Sequence, residues 1–465
     1  MDIRYKTHNL HWDQPDKFRE LDPHLSNLSQ LPLIYRFPLL EKLPRETPGV
    51  YSITGGRQVG KTTLLKQYMS DLLQSGVSPG TIAYLPGEMI DDHHGLVRLF
   101  SEFLESVGPE TGPLFFLLDE VTYINQWDRG IKYLADAGLL RNTILMLTGS
   151  DTVIIRDARV RFPGRRGRAD RVDFHLFPLS FAEYVSLDKG MSHMEVQHMG
   201  ESSTSPRELS GLEQLFESYL AHGGYLTAIN DLKRYGTINR ATFVTYGDWI
   251  RGDVLKRGKR EHYLREILTT IVKRMGSQVT WNGLSDELSI DHPATVADYV
   301  ELLARMDAAI IQLALREDKL TGAPKKARKI HFADPFIFHA VRSWLNNTEN
   351  PYQQEVRPFL DDAEKRGALV ESCAVSHFNR FYPTYYIKGT GEVDIAYVRD
   401  DRFWPIEVKW TRQLRAADFK QASKYPDSII CSRADQPPQV HGITCRPLVT
   451  TLLRLGPSPL YLPGS

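Results

Sequence analysis

The chain has 465 residues, 42% hydrophobic and 25% charged, which excludes disorder and, at roughly 150 residues per domain, predicts about three domains. Its 57 Lys plus Arg balance 57 Asp plus Glu, so a uniformly basic nucleic-acid coat is excluded and any polyanion site must come from local clustering. Three scattered cysteines, no apolar run near the ~18 residues that span a bilayer, and no signal-peptide core predict a cytoplasmic protein without membrane span or disulfide framework.

Residues 1–46, with many Pro, His and Leu, read as an arm lying on the next domain. Over residues 47–187 short apolar runs alternate with helical stretches. The runs are Val50-Tyr51-Ser52-Ile53, Ile82-Ala83-Tyr84-Leu85, Leu114-Phe115-Phe116-Leu117-Leu118 and Ile144-Leu145-Met146-Leu147. Runs this short, bounded by turn or polar residues, predict strands buried on both faces of a parallel α/β sheet.

The first strand runs into Gly55-Gly56-Arg57-Gln58-Val59-Gly60-Lys61-Thr62, which satisfies G-x-x-x-x-G-K-[ST] in full and is followed by Thr63 and a helical stripe of Leu65, Met69 and Leu73. Such a loop turns its backbone N–H groups toward phosphate oxygens at a helix N-terminus. Lys61 then reaches the β/γ-phosphates of ATP and Thr62 ligates Mg²⁺. A buried strand delivers Asp119 to the metal's water shell and Glu120 to the attacking water. The next strand ends Leu147-Thr148-Gly149-Ser150, where either hydroxyl, Thr148 or Ser150, can sense the γ-phosphate. Asp91-Asp92-His93-His94 reads as a solvated polar loop, not a metal site.

With these motifs, and with Trp127, Phe162-Pro163-Gly164-Arg165, Pro178-Leu179-Ser180-Phe181, Glu183-Tyr184, Tyr219-Leu220 and Gly223-Gly224-Tyr225, the chain resembles archaeal and bacterial ATPases of the AAA+ superfamily that carry a winged helix and a C-terminal nuclease-like domain. Gly56 stands where such proteins often have Pro, and no second sensor arginine is evident. The resemblance implies a ring-like homo-oligomer in which an arginine of one subunit completes its neighbour's ATP site. The candidates are Arg165 and Arg166, within a run of seven arginines from Arg156 to Arg171.

Residues 188–260 read as a polar loop followed by a helical lid, and residues 261–345 as a winged helix. Its recognition helix spans Pro293 to Met306, with Val296, Val300 and Leu303 facing the core. Lys325, Lys326, Arg328 and Lys329 would lie in a basic wing, and Arg257, Lys259 and Arg260 would add positive charge just before the first helix. A helix in the major groove and a basic wing on phosphate predict DNA as partner; a protein-interaction module is the alternative.

Over residues 351–465, Glu371 lies on a helix, Asp394 on a strand, and Glu407 and Lys409 on one face of the next strand. This helix, strand and E-x-K strand resemble the restriction-endonuclease-like PD-(D/E)xK superfamily. The resemblance implies Glu371, Asp394 and Glu407 as ligands for Mg²⁺ or Mn²⁺, with Lys409 orienting water. The sequence thus predicts a DNA-binding, Mg²⁺-dependent ATPase with a metal-dependent nuclease-like tail acting on structured or branched DNA. The alternative is a signalling or regulatory switch ATPase in which winged helix and tail are interaction modules.

Overall fold

The structure, a computed structural model, describes residues 3–107, 112–150, 171–201, 205–389, 392–425, 427–433, 439–440 and 442–462. It divides into two compact units, Met1–Leu176 and Phe177–Ser465.

In the first unit, strands β1 (Gly49–Thr54), β2 (Ile82–Pro86), β3 (Leu114–Asp119), β4 (Thr143–Gly149) and β5 (Asp173–His175) form a sheet in the order β2-β3-β4-β1-β5. Every pairing is parallel. All residues of β1, β3 and β4 are buried, as strands covered on both faces require. Helices Lys61–Gln74, His93–Val107 and Trp127–Asp136 connect them, and Leu96, Phe100, Phe103 and Ile131 share one core with Phe116 and Leu118. The crossovers bring the C-terminal ends of β1, β3 and β4 side by side, with Thr54 opposite Gly149 and Leu118 opposite Leu147. In open α/β sheets that edge is where ligands bind.

Residues 3–46 form short helical turns, some of which hold the edge strand β2. Asn9 mimics a neighbouring strand: its amide donates to the Tyr84 carbonyl at 2.8 Å and accepts the Tyr84 N–H at 2.7 Å. Pairing the edge this way removes a template for aggregation. Beside it Lys66, only 3% exposed, meets Asp22 at 3.0 Å, donates to the His8 carbonyl at 3.1 Å and lies 3.6 Å above the Tyr84 ring.

The second unit begins with helices. The polar loop expected at the start of residues 188–260 is corrected in part. Helix His193–Glu201 forms there, and helix Pro206–His222 starts behind a Ser205–Glu208 capping box. Val196 is fully buried, and a Cβ added at Gly200 would come within 2.9 Å of helix Leu448–Leu455, so a tertiary partner stabilises a stretch whose composition is polar. Helices Glu261–Lys273, Trp281–Ser285 and Pro293–Arg305 follow, then β6 (Ala309–Leu313), a small hairpin β7 (Leu315–Arg316) and β8 (Thr321–Gly322), and β9 (Arg328–Phe332) antiparallel to β6.

Helix Ala363–Phe381 leads into the last sheet, made of β10 (Thr384–Lys388), β11 (Glu392–Arg399), β12 (Arg402–Lys409), β13 (Ile429–Ser432), β14 (Gln439–Val440) and β15 (Ile443–Pro447). Its order is β10-β11-β12-β13-β15-β14, antiparallel from β10 to β12 and parallel from β12 through β13 to β15. Cys373, Cys431 and Cys445 are buried, and none is in a disulfide among the described residues. Among the described residues no helix is long and apolar enough to cross a membrane.

Candidate functional site

The loop after β1 turns on two glycines. Gly55 has φ +147°, and a Cβ there would lie 2.3 Å from the Leu176 carbonyl oxygen; Gly60 has φ +103°. Both conformations favour glycine. The turn starts helix Lys61–Gln74 at Lys61, whose buried ammonium donates to the carbonyls of Gly55 and Gly56 at 2.9 Å each. Lys61 also lies 3.4 Å from Glu120 Oε1. The Thr62 hydroxyl donates to Asp119 Oδ2 at 2.6 Å, so a hydroxyl and a carboxylate suited to Mg²⁺ stand together where β3 ends.

Thr148, on β4, links the two acids. Its hydroxyl donates to Asp119 Oδ1 and accepts the Glu120 N–H at 2.8 Å. Ser150 meets Glu120 Oε2 only through its backbone N–H, at 3.2 Å. Glu120 itself has φ +49°, a left-handed backbone that aims its side chain back at Lys61. The sequence reading missed Tyr84, whose hydroxyl donates to Asp119 Oδ2 at 2.8 Å. Burial, then the Asp119 charge, push the Tyr84 phenol well above its usual range, so it stays a donor. Arg57 donates to the Tyr123 hydroxyl at 2.9 Å. Arg165 and Arg166 lie outside the described residues. Asp92 caps the helix starting at His93 by accepting the Gly95 N–H at 3.0 Å, so Asp91–His94 leads into a helix.

A second cluster forms in the other unit. Asp394 on β11 accepts the Val408 N–H of β12 through Oδ2 at 2.9 Å, and Lys409 meets Glu407 Oε1 at 2.6 Å. Glu407 Oε2 is buried with no hydrogen-bond partner. Burial, then the neighbouring Asp394, push the Glu407 and Glu371 carboxyls up to about 7. Burial alone would lower Lys409, but Asp394 and Glu407 outweigh it and raise the ammonium.

The expected three-carboxylate ligand set is corrected here. Lys329 stands among the acids, 2.8 Å from Glu371 Oε1 and 3.7 Å from Asp394 Oδ1, and also bonded to Glu392. Glu371 is therefore held by an ammonium. Among the described residues no group of three or more His, Cys, Asp or Glu is arranged to hold a metal ion. Asp394 and the orphaned oxygen of Glu407 still suit one hard cation, since Mg²⁺ commonly takes one or two carboxylates plus substrate phosphate. Glu392 went unassigned in the sequence, although it precedes Asp394 by two and so shares its strand face.

The basic wing is corrected as well. Lys325 and Lys326 are exposed, but Arg328 is 6% and Lys329 1% exposed, so neither side chain is placed to meet an outside phosphate. Arg328 lies 4.3 Å above the Trp281 ring and donates to the carbonyls of Pro324 and Lys326. Arg257 and Arg260 are exposed, whereas Lys259 pairs with Asp298 of helix Pro293–Arg305.

Residues 47–185 match a family described as AAA domain, and residues 213–349 match a domain of unknown function, DUF8612. An uncharacterized protein of Haemophilus influenzae is 24% identical over 272 residues, 56% of this chain, and the chain spans 61% of that relative's length. Among solved structures, a Walker-type ATPase of Pyrococcus abyssi is similar at 16% identity and TM-score 0.41, covering 73% of this chain and 99% of that one. The ORC1 protein of Aeropyrum pernix, in complex with DNA, is similar at 12% identity and TM-score 0.31 over 73% of this chain and 96% of its own. AMPPCP-bound DnaA from Aquifex aeolicus is similar at 16% identity and TM-score 0.22 over 57% of this chain and 84% of its own. The AAA match spans the loop and both acidic strand ends, so residues 47–185 are similar to AAA-type P-loop ATPase domains.

Proposed function

We propose that the chain is a DNA-processing ATPase. It hydrolyses ATP with Mg²⁺, assembles into a ring-like homo-oligomer, and cuts structured or branched DNA with its C-terminal domain. The observation that carries the DNA-cutting part is that Asp394 of β11 accepts the Val408 N–H of the adjacent β12, next to Glu407, with Lys409 bonded to Glu407 and a buried Glu407 oxygen unpartnered.

At the ATP site Lys61 binds the β/γ-phosphates, Thr62 and Asp119 would hold Mg²⁺, and Glu120 orients the attacking water while Thr148 fixes both acids. Arg165 or Arg166 of a neighbouring subunit stabilises the charge on the leaving phosphates. An Ala variant there binds ATP but hydrolyses it poorly, and mixing with Lys61→Ala subunits restores turnover. At the second site Asp394 and Glu407 would hold Mg²⁺ or Mn²⁺, which when bound polarises a phosphate oxygen and acidifies its water. Lys409 neutralises charge that builds on the phosphate.

The order helix, short helix, helix, strand, hairpin, strand over residues 261–332 supports a winged helix, with Lys325, Lys326, Arg257 and Arg260 exposed toward DNA phosphate. A second reading, a regulatory ATPase whose winged helix contacts protein, is favoured by one observation. The exposed face of helix Pro293–Arg305 carries Asp298 and Glu301, which occupy the cations Lys259 and Arg305 and leave that face without the positive charge a DNA backbone needs.

The test is a panel of single-stranded, duplex and branched DNAs with and without ATP, in Mg²⁺ and in Mn²⁺. Cleavage that Asp394→Ala and Glu407→Ala abolish, at unchanged ATPase rate, supports the proposal. No cleavage under any metal overturns it, and nucleotide-dependent partner binding without DNA affinity selects the second reading.

A further inference from the structure

Lys329 is held in place by the fold. It sits on β9, a strand with all five residues buried, opposite Gln312 of β6. The Gln312 amide reaches the last sheet, donating to the carbonyls of Asp394 at 2.9 Å and Tyr385 at 3.1 Å. The Tyr386 hydroxyl donates to the Ala327 carbonyl at 2.6 Å, two residues before Lys329. On the far side Gln278 bonds Glu392 Oε2. Strand register and cross-sheet bonds thus fix the ammonium among the carboxylates, whereas Lys409 is 32% exposed on its side-chain area.

Charge then sets what else the cluster can take. Four carboxylates, Glu371, Glu392, Asp394 and Glu407, face two ammoniums, Lys329 and Lys409. With all four carboxyls ionised, two negative charges are left, the complement of one divalent ion; buried charge without a partner is costly. The oxygens left for it are localised. Glu371 Oε1 and Glu392 Oε1 are engaged by Lys329 and Glu392 Oε2 by Gln278, whereas Glu407 Oε2 is buried with no hydrogen-bond partner and Asp394 Oδ1 lies 3.7 Å from the Lys329 ammonium, beyond hydrogen-bond distance.

We propose that Lys329 is a built-in cation of the carboxylate site that neutralises Glu371 and Glu392 and so limits the site to one hard divalent ion, held by Asp394 and Glu407. Lys329 acts as a positioning residue, since it sets the ion count and location through the carboxylates it occupies. The inference rests on Asp394 and Glu407 being metal ligands, and it concerns ion stoichiometry, which is measured without any DNA.

The experiment titrates Mn²⁺ into the nucleotide-free, metal-stripped full chain and counts bound ions by electron paramagnetic resonance. Asp394→Asn subtracts any ions bound elsewhere. Wild type is expected to hold one more ion than Asp394→Asn. Lys329→Met, which keeps length and loses charge, should hold two more, or bind the first at least tenfold tighter. Lys329→Arg, which keeps the charge and guards against a folding defect, should hold one. A wild-type difference of two or of zero overturns the proposal, as does a folded Lys329→Met with unchanged count and affinity. A count of one in a chain that cuts no DNA leaves this inference standing and removes only the nuclease reading.

Discussion

His377 is buried with both ring nitrogens engaged: Nδ1 donates to the Cys373 carbonyl at 2.8 Å and Nε2 accepts the Phe181 N–H at 2.9 Å. A second ring proton would face a donor. Burial first, then Arg380, accordingly lower its pKa from 6.5 to about 3. Because the folded value lies below the unfolded one, the unfolded chain takes up the proton first. The stabilisation is complete above pH 6.5 and is lost as pH falls toward 3. Linkage gives a loss of about 1.4 kcal/mol at pH 5.5 and about 2.7 kcal/mol at pH 4.5 from this one ring. Buried acids such as Asp334, raised to about 6 chiefly by burial, act in the opposite sense, so the effect must be isolated by difference. His377→Gln keeps an acceptor for the Phe181 N–H and cannot titrate. In urea unfolding followed by tryptophan fluorescence, wild type should exceed this variant by an amount that shrinks about 1.4 kcal/mol between pH 7.5 and 5.5. A gap that stays constant or widens on acidification refutes the assignment of a neutral, doubly bonded imidazole.

Lys61→Ala should abolish phosphate release from ATP, while Glu120→Gln should bind a fluorescent nucleotide normally and not turn it over; normal turnover by the latter would remove Glu120 from water activation. Thr148→Val should lower kcat by ~10²-fold, the scale of losing a positioned polar partner, whereas Ser150→Ala should leave it near wild type because only the Ser150 backbone touches Glu120. Reversing Lys325 and Lys326 should lower the log–log salt slope of DNA binding by ~1.8, at ~0.9 per phosphate contact. Asp22→Ala should cost about 3–5 kcal/mol in thermal or urea unfolding by stranding the buried Lys66 ammonium, plus about 1 kcal/mol for the lost cap of helix Pro23–Ser29. Adding Lys66→Met should recover part of that loss, and an additive double variant would argue against the pair.

What the sequence made legible was written locally. Gly55 to Thr62 is contiguous, the buried strands of the parallel sheet are unbroken apolar runs, and the spacing of Val296, Val300 and Leu303 marks helix Pro293–Arg305. What it hid depended on partners far along the chain. Thr148 and Ser150, two apart, have the same strand parity, and what separates them is that β4 ends at Gly149: only Thr148 lies within the strand, beside Asp119 at the end of β3. Helix His193–Glu201 is polar in composition and is stabilised by the C-terminal helix more than 240 residues later. The run Lys325-Lys326-Ala327-Arg328-Lys329 shows the limit most clearly. Read as composition it is one basic patch, yet it crosses from a turn into a strand, and the two halves answer to different surroundings. Lys325 and Lys326 stay in solvent, where charge costs nothing, whereas Lys329 is buried because Glu371, Glu392 and Asp394 arrive 42, 63 and 65 residues later to receive it. A lysine side chain loses its hydration on such burial and regains it only from carboxylates already in place. The acids and the ammonium therefore specify one another, and neither half of the pair carries its meaning alone.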